Sequence, residues 1–392
     1  MNDLGIFLHE HNGHPTFLDA AKAYYAQRGC FEIHPNYLVP GFLPGFGMNQ
    51  SDSPIFGISR DPPRYSTPEL AEYLGEGHDF GGTIEQYAAM ARGRLVDHLR
   101  RYWDASRPTL VLHSNGYDSR IISSCLVVLR DEGFKLGKVH FRCHEPEGTS
   151  FLQIMHRQGW TVDQYSVFEF PETNLFDVGR WAFPGTSPWL PVTTFANFWG
   201  DIVPEGDEKR WNLVCGVGGG EVFEYPALSK NPFVPWQFCV NPPVQRWLSY
   251  FIDCTDYIAD VEARFAKVLF PYFGEAHIRT AAALPDRFLG IERNGCDFVR
   301  AAILRTFSDS LLDLPRVPRT YNWFISRERW RHIHDRYAAS AFLRDVPEAP
   351  HPDVLIKRMQ STFFDQVDNT AERLWRLASL WDSIVAPRGV AK

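Results

Sequence analysis

Between Pro108 and Phe168 the sequence switches hydrophobic period four times, and few folds accept that order. Pro108–Leu112 is a short apolar run of strand type. Asp118–Arg130 carries Ile121, Ile122, Cys125, Leu126 and Leu129 at helical spacing. Lys138–Arg142 is again of strand type, Thr149–Arg157 is helical and stopped by Gly159, and Thr161–Phe168 is a third strand. Helix and strand place side chains with different periods, so each switch marks a change of element. Strands that alternate with helices predict a parallel sheet in an α/β fold. Trp211–Cys215 adds a fourth strand, and the expectation is a doubly wound parallel sheet of about five strands.

The rest of the chain frames that unit. Residues 1–85 read as a small irregular N-terminal region broken by Pro40-Gly41, Pro44-Gly45 and Asp61-Pro62-Pro63, with one helical patch at Leu18–Gln27. Residues 86–392 read as the α/β domain with a helical C-terminal half. A helix over Thr83–Tyr102 precedes the first strand, and Tyr257–Leu269, Glu275–Leu284, Phe298–Leu312, Ser326–Tyr337 and Val354–Ile384 are expected as helices. A net charge of −7 argues against a general nucleic-acid binder. No apolar stretch approaches the ~20 residues that span a bilayer. The seven cysteines form no CxxC pair, and the N-terminus lacks a basic, apolar leader, so a reduced cytoplasmic protein is expected, without membrane contact.

The functional expectation centres on the end of the first strand, Leu112-His113-Ser114-Asn115-Gly116-Tyr117-Asp118-Ser119. Small residues let backbone N–H groups approach an anion, and the following helix offers its positive end. Asp118 suits Mg²⁺ bridging phosphate oxygens, and Ser119 suits a helix cap or a phosphate donor. An ordinary strand-to-helix turn, with Ser114 or Asp118 as N-cap, fits the same residues. In open α/β sheets ligands sit at the carboxyl ends of the strands, where this turn lies.

Ser114-Asn115-Gly116-Tyr117-Asp118-Ser119 resembles the Ser-Gly-Gly-x-Asp-Ser loop of N-type ATP pyrophosphatases, and in particular the synthetase domain of the asparagine synthetase family. Further segments match in order: the helix Ile84–Arg101, Thr193-Thr194, the run Cys215-Gly216-Val217-Gly218-Gly219-Gly220-Glu221-Val222-Phe223, and Pro271-Tyr272-Phe273 with Ala282-Ala283-Leu284-Pro285, Asn294-Gly295 and Arg300. The resemblance covers roughly residues 84–305. It implies an ATP-dependent ligase that adenylates a carboxylate, releases pyrophosphate and passes the acyl group to an amine. It assigns Ser114, Asn115, Gly116, Asp118 and Ser119 to the phosphates, and Leu112 with Phe141, Arg142 and Cys143 to the adenine edge. Gly216 and Gly218 go to the nucleotide, and Asp118 and Glu221 to Mg²⁺. His113 departs from the small or apolar residue the family has there and suits either a buried, hydrogen-bonded histidine or a catalytic proton carrier, and Arg300 or Arg293 is the candidate catalytic cation in place of the family's lysine.

Departures from the family pattern are concrete. Asn115 replaces a glycine, at a place where asparagine tolerates positive φ best. Gly220 stands where the family has a metal-binding aspartate and Val217 where it has a glutamate, while Glu221 stays adjacent. The family's lysine before the Arg300 segment is absent from Gly295-Cys296-Asp297-Phe298. Asn2 stands where a glutaminase would carry its nucleophilic cysteine, so a free amine, or ammonia from a partner subunit, is the expected nitrogen donor. Two alternatives remain: a catalytically degenerate nucleotide-binding or scaffold protein, and ATP-dependent modification of a nucleobase or tRNA. The second draws on Arg316, Arg319, Arg327 and Arg329-Trp330-Arg331. Glu145 and Glu147 follow the second strand and suit either solvent or the metal and substrate site. His9, His11 and His14, and His332 and His334, complete no zinc spacing; Cys125 and Cys215 read as small core residues.

Overall fold

The computed structural model describes residues 12–14, 17–33, 55–58, 80–145, 147–168, 202–204, 206–216, 218–219, 265–288, 295–316, 335, 337–354 and 370–385. In chain order these form α1 (Phe17–Arg28), α2 (Ile84–Tyr102), β1 (Thr109–Leu112), α3 (Tyr117–Asp131), β2 (Val139–His144), α4 (Gly148–Arg157), β3 (Tyr165–Phe168), β4 (Asn212–Cys215), β5 (Lys267–Leu269), α5 (Glu275–Ala282), α6 (Gly295–Arg305), α7 (Ala341–Asp345) and α8 (Thr370–Val385).

The five strands form one all-parallel sheet in the order β3-β2-β1-β4-β5. The fold class is therefore α/β, as the alternating periods predict. Strand order runs outward from β1 in both directions, so the chain reverses its direction of travel between β1 and β4. Crevices at such reversals, outside the carboxyl ends of the strands, are where α/β sheets bind ligands.

Register explains why the sheet buries both faces. Val111 pairs with Phe141 and Val214, and these with Tyr165 and Leu269, so one row of side chains crosses the sheet. Val111, Val139, Phe141, Cys143, Val214 and Leu269 share one core with α2, α3, α4 and α6. By alternation Leu110, Leu112, Leu213, Cys215 and Val268 lie on the opposite face, and all are buried. α2 contributes Tyr87, Ala91, Leu95 and Leu99, a stripe at four-residue spacing. Thr83 and Gln86 start that helix with a reciprocal capping box, and Trp103 ends it by donating its indole N–H to the Leu136 carbonyl at 2.9 Å.

Several boundaries differ from expectation. The second strand runs on to His144, and a single 3₁₀ turn over Val162–Gln164 precedes the third. The Phe298–Leu312 helix stops at Arg305. The end of the expected Tyr257–Leu269 helix is instead the strand β5; the residues before 265 lie outside those described. A second core joins Ala20, Ala21, Ile55 and Ile58 to Tyr337, Phe342, Val346, Leu374, Leu377 and Trp381. Within the N-terminal region, α1 and residues 55–58 thus pack with the C-terminal helices, while Phe80 and Ile84 pack on the first core. Among the described residues no helix is long and apolar enough to cross a membrane.

Candidate functional site

The turn between β1 and α3 sits at the strand-order reversal, and its amides are already directed at oxygen. The Ser114 N–H donates to Ser119 Oγ at 3.0 Å, the Asn115 N–H to Glu147 Oε2 at 2.7 Å, and the Gly116 N–H to Ser114 Oγ at 3.1 Å. One of three turn amides therefore already holds a carboxylate oxygen. Glu147 is buried at the start of α4, whereas Glu145 is exposed, so of the two acids after β2 only Glu147 joins the turn. Gly116 caps α3 without a side-chain hydrogen bond, leaving the helix end to the turn itself.

Asn115 corrects one expectation. Its φ is not positive, so glycine is not needed for the backbone there. What asparagine adds is a side chain: it is 3% exposed, and its Nδ2 has no hydrogen-bond partner. Buried polar groups are rarely left unpaired, and each exception calls for an explanation.

Two residues that stand far apart in sequence meet here. Arg300, on α6, donates through Nη1 to both carboxylate oxygens of Asp118, at 2.9 and 3.1 Å. Its Nη2 donates to Asp297 at 2.7 Å, and Asp297 accepts two further bonds from Arg316 at 2.9 and 2.5 Å. Arg316 also lies 4.4 Å over the Tyr117 ring. Burial pushes the Asp297 carboxyl up, but the hydrogen bonds and charges of Arg316 and Arg300 outweigh it and hold it below the usual carboxylate range. The first residue of the basic tract is thus an ion-pair partner, not a free basic face; Arg319, Arg327 and Arg329–Arg331 lie outside the described residues.

The glycine run after β4 closes the other side. A Cβ on Gly219 would fall 2.6 Å from Asp118 Cγ and 2.8 Å from Tyr272 Cε2, so the Gly219 backbone lies directly against the carboxylate. Gly218 has φ 105°, a conformation that requires glycine. Gly216 faces the first turn of α3 with ordinary spacing, its nearest neighbours 3.7 Å from a built Cβ. The Tyr272 hydroxyl donates to the Asp118 carbonyl at 2.8 Å. Val217, Gly220 and Glu221 lie outside the described residues, as do Thr193, Thr194, His9, His11, His332 and His334.

Arg120 has no role in the sequence reading, yet it fastens the turn. It is fully buried and donates to the carbonyls of Asn115 at 2.9 Å, Leu311 at 2.5 Å, Leu314 at 2.9 Å and Pro315 at 3.1 Å. The one legible signal is a cation on the helix that carries the otherwise apolar Ile121–Leu129 face.

His113 lies behind the turn. It shares a 3.1 Å hydrogen bond with Ser123 and packs against Phe151 and Phe141, at 5.1 and 6.3 Å between ring centres. Burial, then the Arg120 charge, pushes it down to about 3, with the Ser114 backbone offsetting a little. It is neutral at ordinary pH, and its ring packs in the core behind the turn. The unfolded chain protonates this residue near 6.5, so its share of stability is intact above pH 6.5. That share is lost as pH falls from 6.5 toward 3, at up to about 1.4 kcal/mol per pH unit. We expect urea midpoints to fall between pH 7 and pH 5, and His113→Asn to flatten that fall. An unchanged slope in the variant would contradict the assignment.

Phe141 and Cys143 are fully buried within the core, and Arg142 donates to Ser166 at 2.5 Å. Leu112 is also buried, so these four residues have only strand backbone to offer an adenine edge. Cys125 and Cys215 are buried as well, as small core residues. The chain matches no protein-family model, and no curated protein matches it significantly.

Proposed function

We propose that this protein binds an adenine nucleotide in the crevice between β1 and β4, with its phosphates at the 113–116 turn. The observation that carries this is Asn115: a buried side-chain donor without an acceptor, on a turn whose amides hold oxygen ligands, at the strand-order reversal. A phosphate oxygen would give Nδ2 its acceptor and compete with Glu147 for the Asn115 amide. The reaction that fits the resemblance is AMP-forming amide synthesis, in which a free amine or ammonia attacks an adenylated carboxylate.

A divalent ion does not fit the described donors. Both oxygens of Asp118 accept from Arg300 Nη1, so a cation already stands at the one described acid assigned to the metal, and Glu221 lies outside the described residues. We therefore derive no step through Mg²⁺. The same ion pair favours a second reading, a nucleotide-binding protein that does not turn ATP over.

Calorimetry with ATP, ADP and pyrophosphate tests binding, and ATP–pyrophosphate exchange with a panel of carboxylates separates ligase from binder. Asn115→Gly, which deletes the buried donor, should weaken nucleotide binding about tenfold, the worth of one hydrogen bond to a charged group. No binding by the wild-type chain would end the proposal.

A further inference from the structure

We infer that Arg300 is the resident cation of this phosphate site, and that the site takes its polyphosphate ligand without a divalent ion. The inference rests on the nucleotide binding proposed above and concerns how that site is neutralised.

Asp118 opens α3 beside the turn, where a bare carboxylate would repel an arriving phosphate. The usual remedy is a metal ion bridging carboxylate and phosphate. Here a guanidinium is already in that position relative to the acid, with one nitrogen bridging both oxygens at 2.9 and 3.1 Å. Arg300 is held from its far side by Asp297, and Asp297 by Arg316, so acids and bases alternate in a row of four. The row is charge-balanced and adds no repulsion to the crevice. The Arg300 side chain is 14% exposed and that of Asp118 is 21%, so their attraction is shielded from solvent.

Room is the second argument. Mg²⁺ demands an octahedral shell and keeps several waters. Arg300 occupies one approach to the carboxylate, and the Gly219 backbone closes another. Binding a metal at Asp118 would require displacing an arginine that is anchored on both sides. Arginine is charged at every relevant pH, so Arg300 cancels the Asp118 charge beside the turn without a cofactor.

The test compares nucleotide binding by the full chain in EDTA and in excess Mg²⁺, with Mn²⁺ alone titrated by electron paramagnetic resonance. ATP affinities within about threefold in the two buffers, and no saturable Mn²⁺ site, are expected. Arg300→Gln should lose at least about tenfold in EDTA and regain part of it with Mg²⁺, because Asp118 is then a bare carboxylate. If circular dichroism shows that Arg300→Gln does not fold, Arg300→Lys keeps a cation there. Metal-free binding by that variant supports the inference, and a strict Mg²⁺ requirement opposes it. Wild-type binding that needs Mg²⁺, or a saturable Mn²⁺ site, overturns the inference and leaves the proposed function standing. No ATP binding in either buffer removes both.

Discussion

Arg120→Met should destabilise the protein by about 4 kcal/mol, the largest loss expected of any single change at this site. The guanidinium is fully buried and serves the carbonyls of Asn115, Leu311, Leu314 and Pro315. Methionine keeps the unbranched stem but ends short of the guanidinium and donates nothing, so four carbonyls lose their donor inside the protein. Each hydrogen bond to a charged group contributes roughly 1.5–3 kcal/mol, and partial relaxation keeps the total below the sum. Denaturant melts followed by tryptophan fluorescence measure the loss. Arg316→Met is the comparison: its side chain is 39% exposed, and its ion pair should contribute no more than about 1 kcal/mol. Equal losses in the two variants would mean that Arg120 is not the fastening residue.

Gly219→Ala carries the second large effect, on ligand binding. Its methyl would sit 2.6 Å from the Asp118 carboxylate carbon and 2.8 Å from the Tyr272 ring. The carboxylate or the glycine run must shift, at a cost of about 1–3 kcal/mol typical of overpacking. Either movement breaks the Asp118–Arg300 geometry, so nucleotide affinity should fall at least about tenfold. Gly216→Ala meets nothing closer than 3.7 Å and should fold with wild-type stability. A Gly219→Ala protein that melts and binds like wild type would show that the close approach to Asp118 is unimportant.

The sheet was largely legible because it is built from long-period contrasts. Residues 108–168 alternate between two periods, and that alternation is visible in one dimension. β5 was not legible: three residues cannot display a period, and the apolar spacing upstream suits a helix. Within the site, Asp118 and Arg300 each stand out, one in a polar turn and one in a segment lacking its expected lysine. Their contact is hidden, since they are 182 positions apart and only the packing of α6 beside α3 joins them. Glu147 is a similar case. Its sequence position suits either solvent or the site, and only α4 folding back on the sheet delivers its carboxylate to the Asn115 amide. For Arg120 the periodicity itself misleads, because a cation beside an apolar helical face normally points to water.

The second core has a consequence for how the chain acquires its structure. Ala21 and Trp381 belong to the same buried cluster, although they lie near opposite ends of the sequence. During synthesis α1 meets Ile55 and Ile58 early, but α7 and α8, which complete its cluster, follow only after the whole parallel sheet. Contacts between distant parts of a chain close late and slowly. The sheet can therefore be complete while the cluster around Ala20 and Ala21 still lacks its C-terminal side. Nascent chains stalled before residue 370 should hold a protease-resistant sheet and a protease-sensitive α1, which extension through α8 then protects.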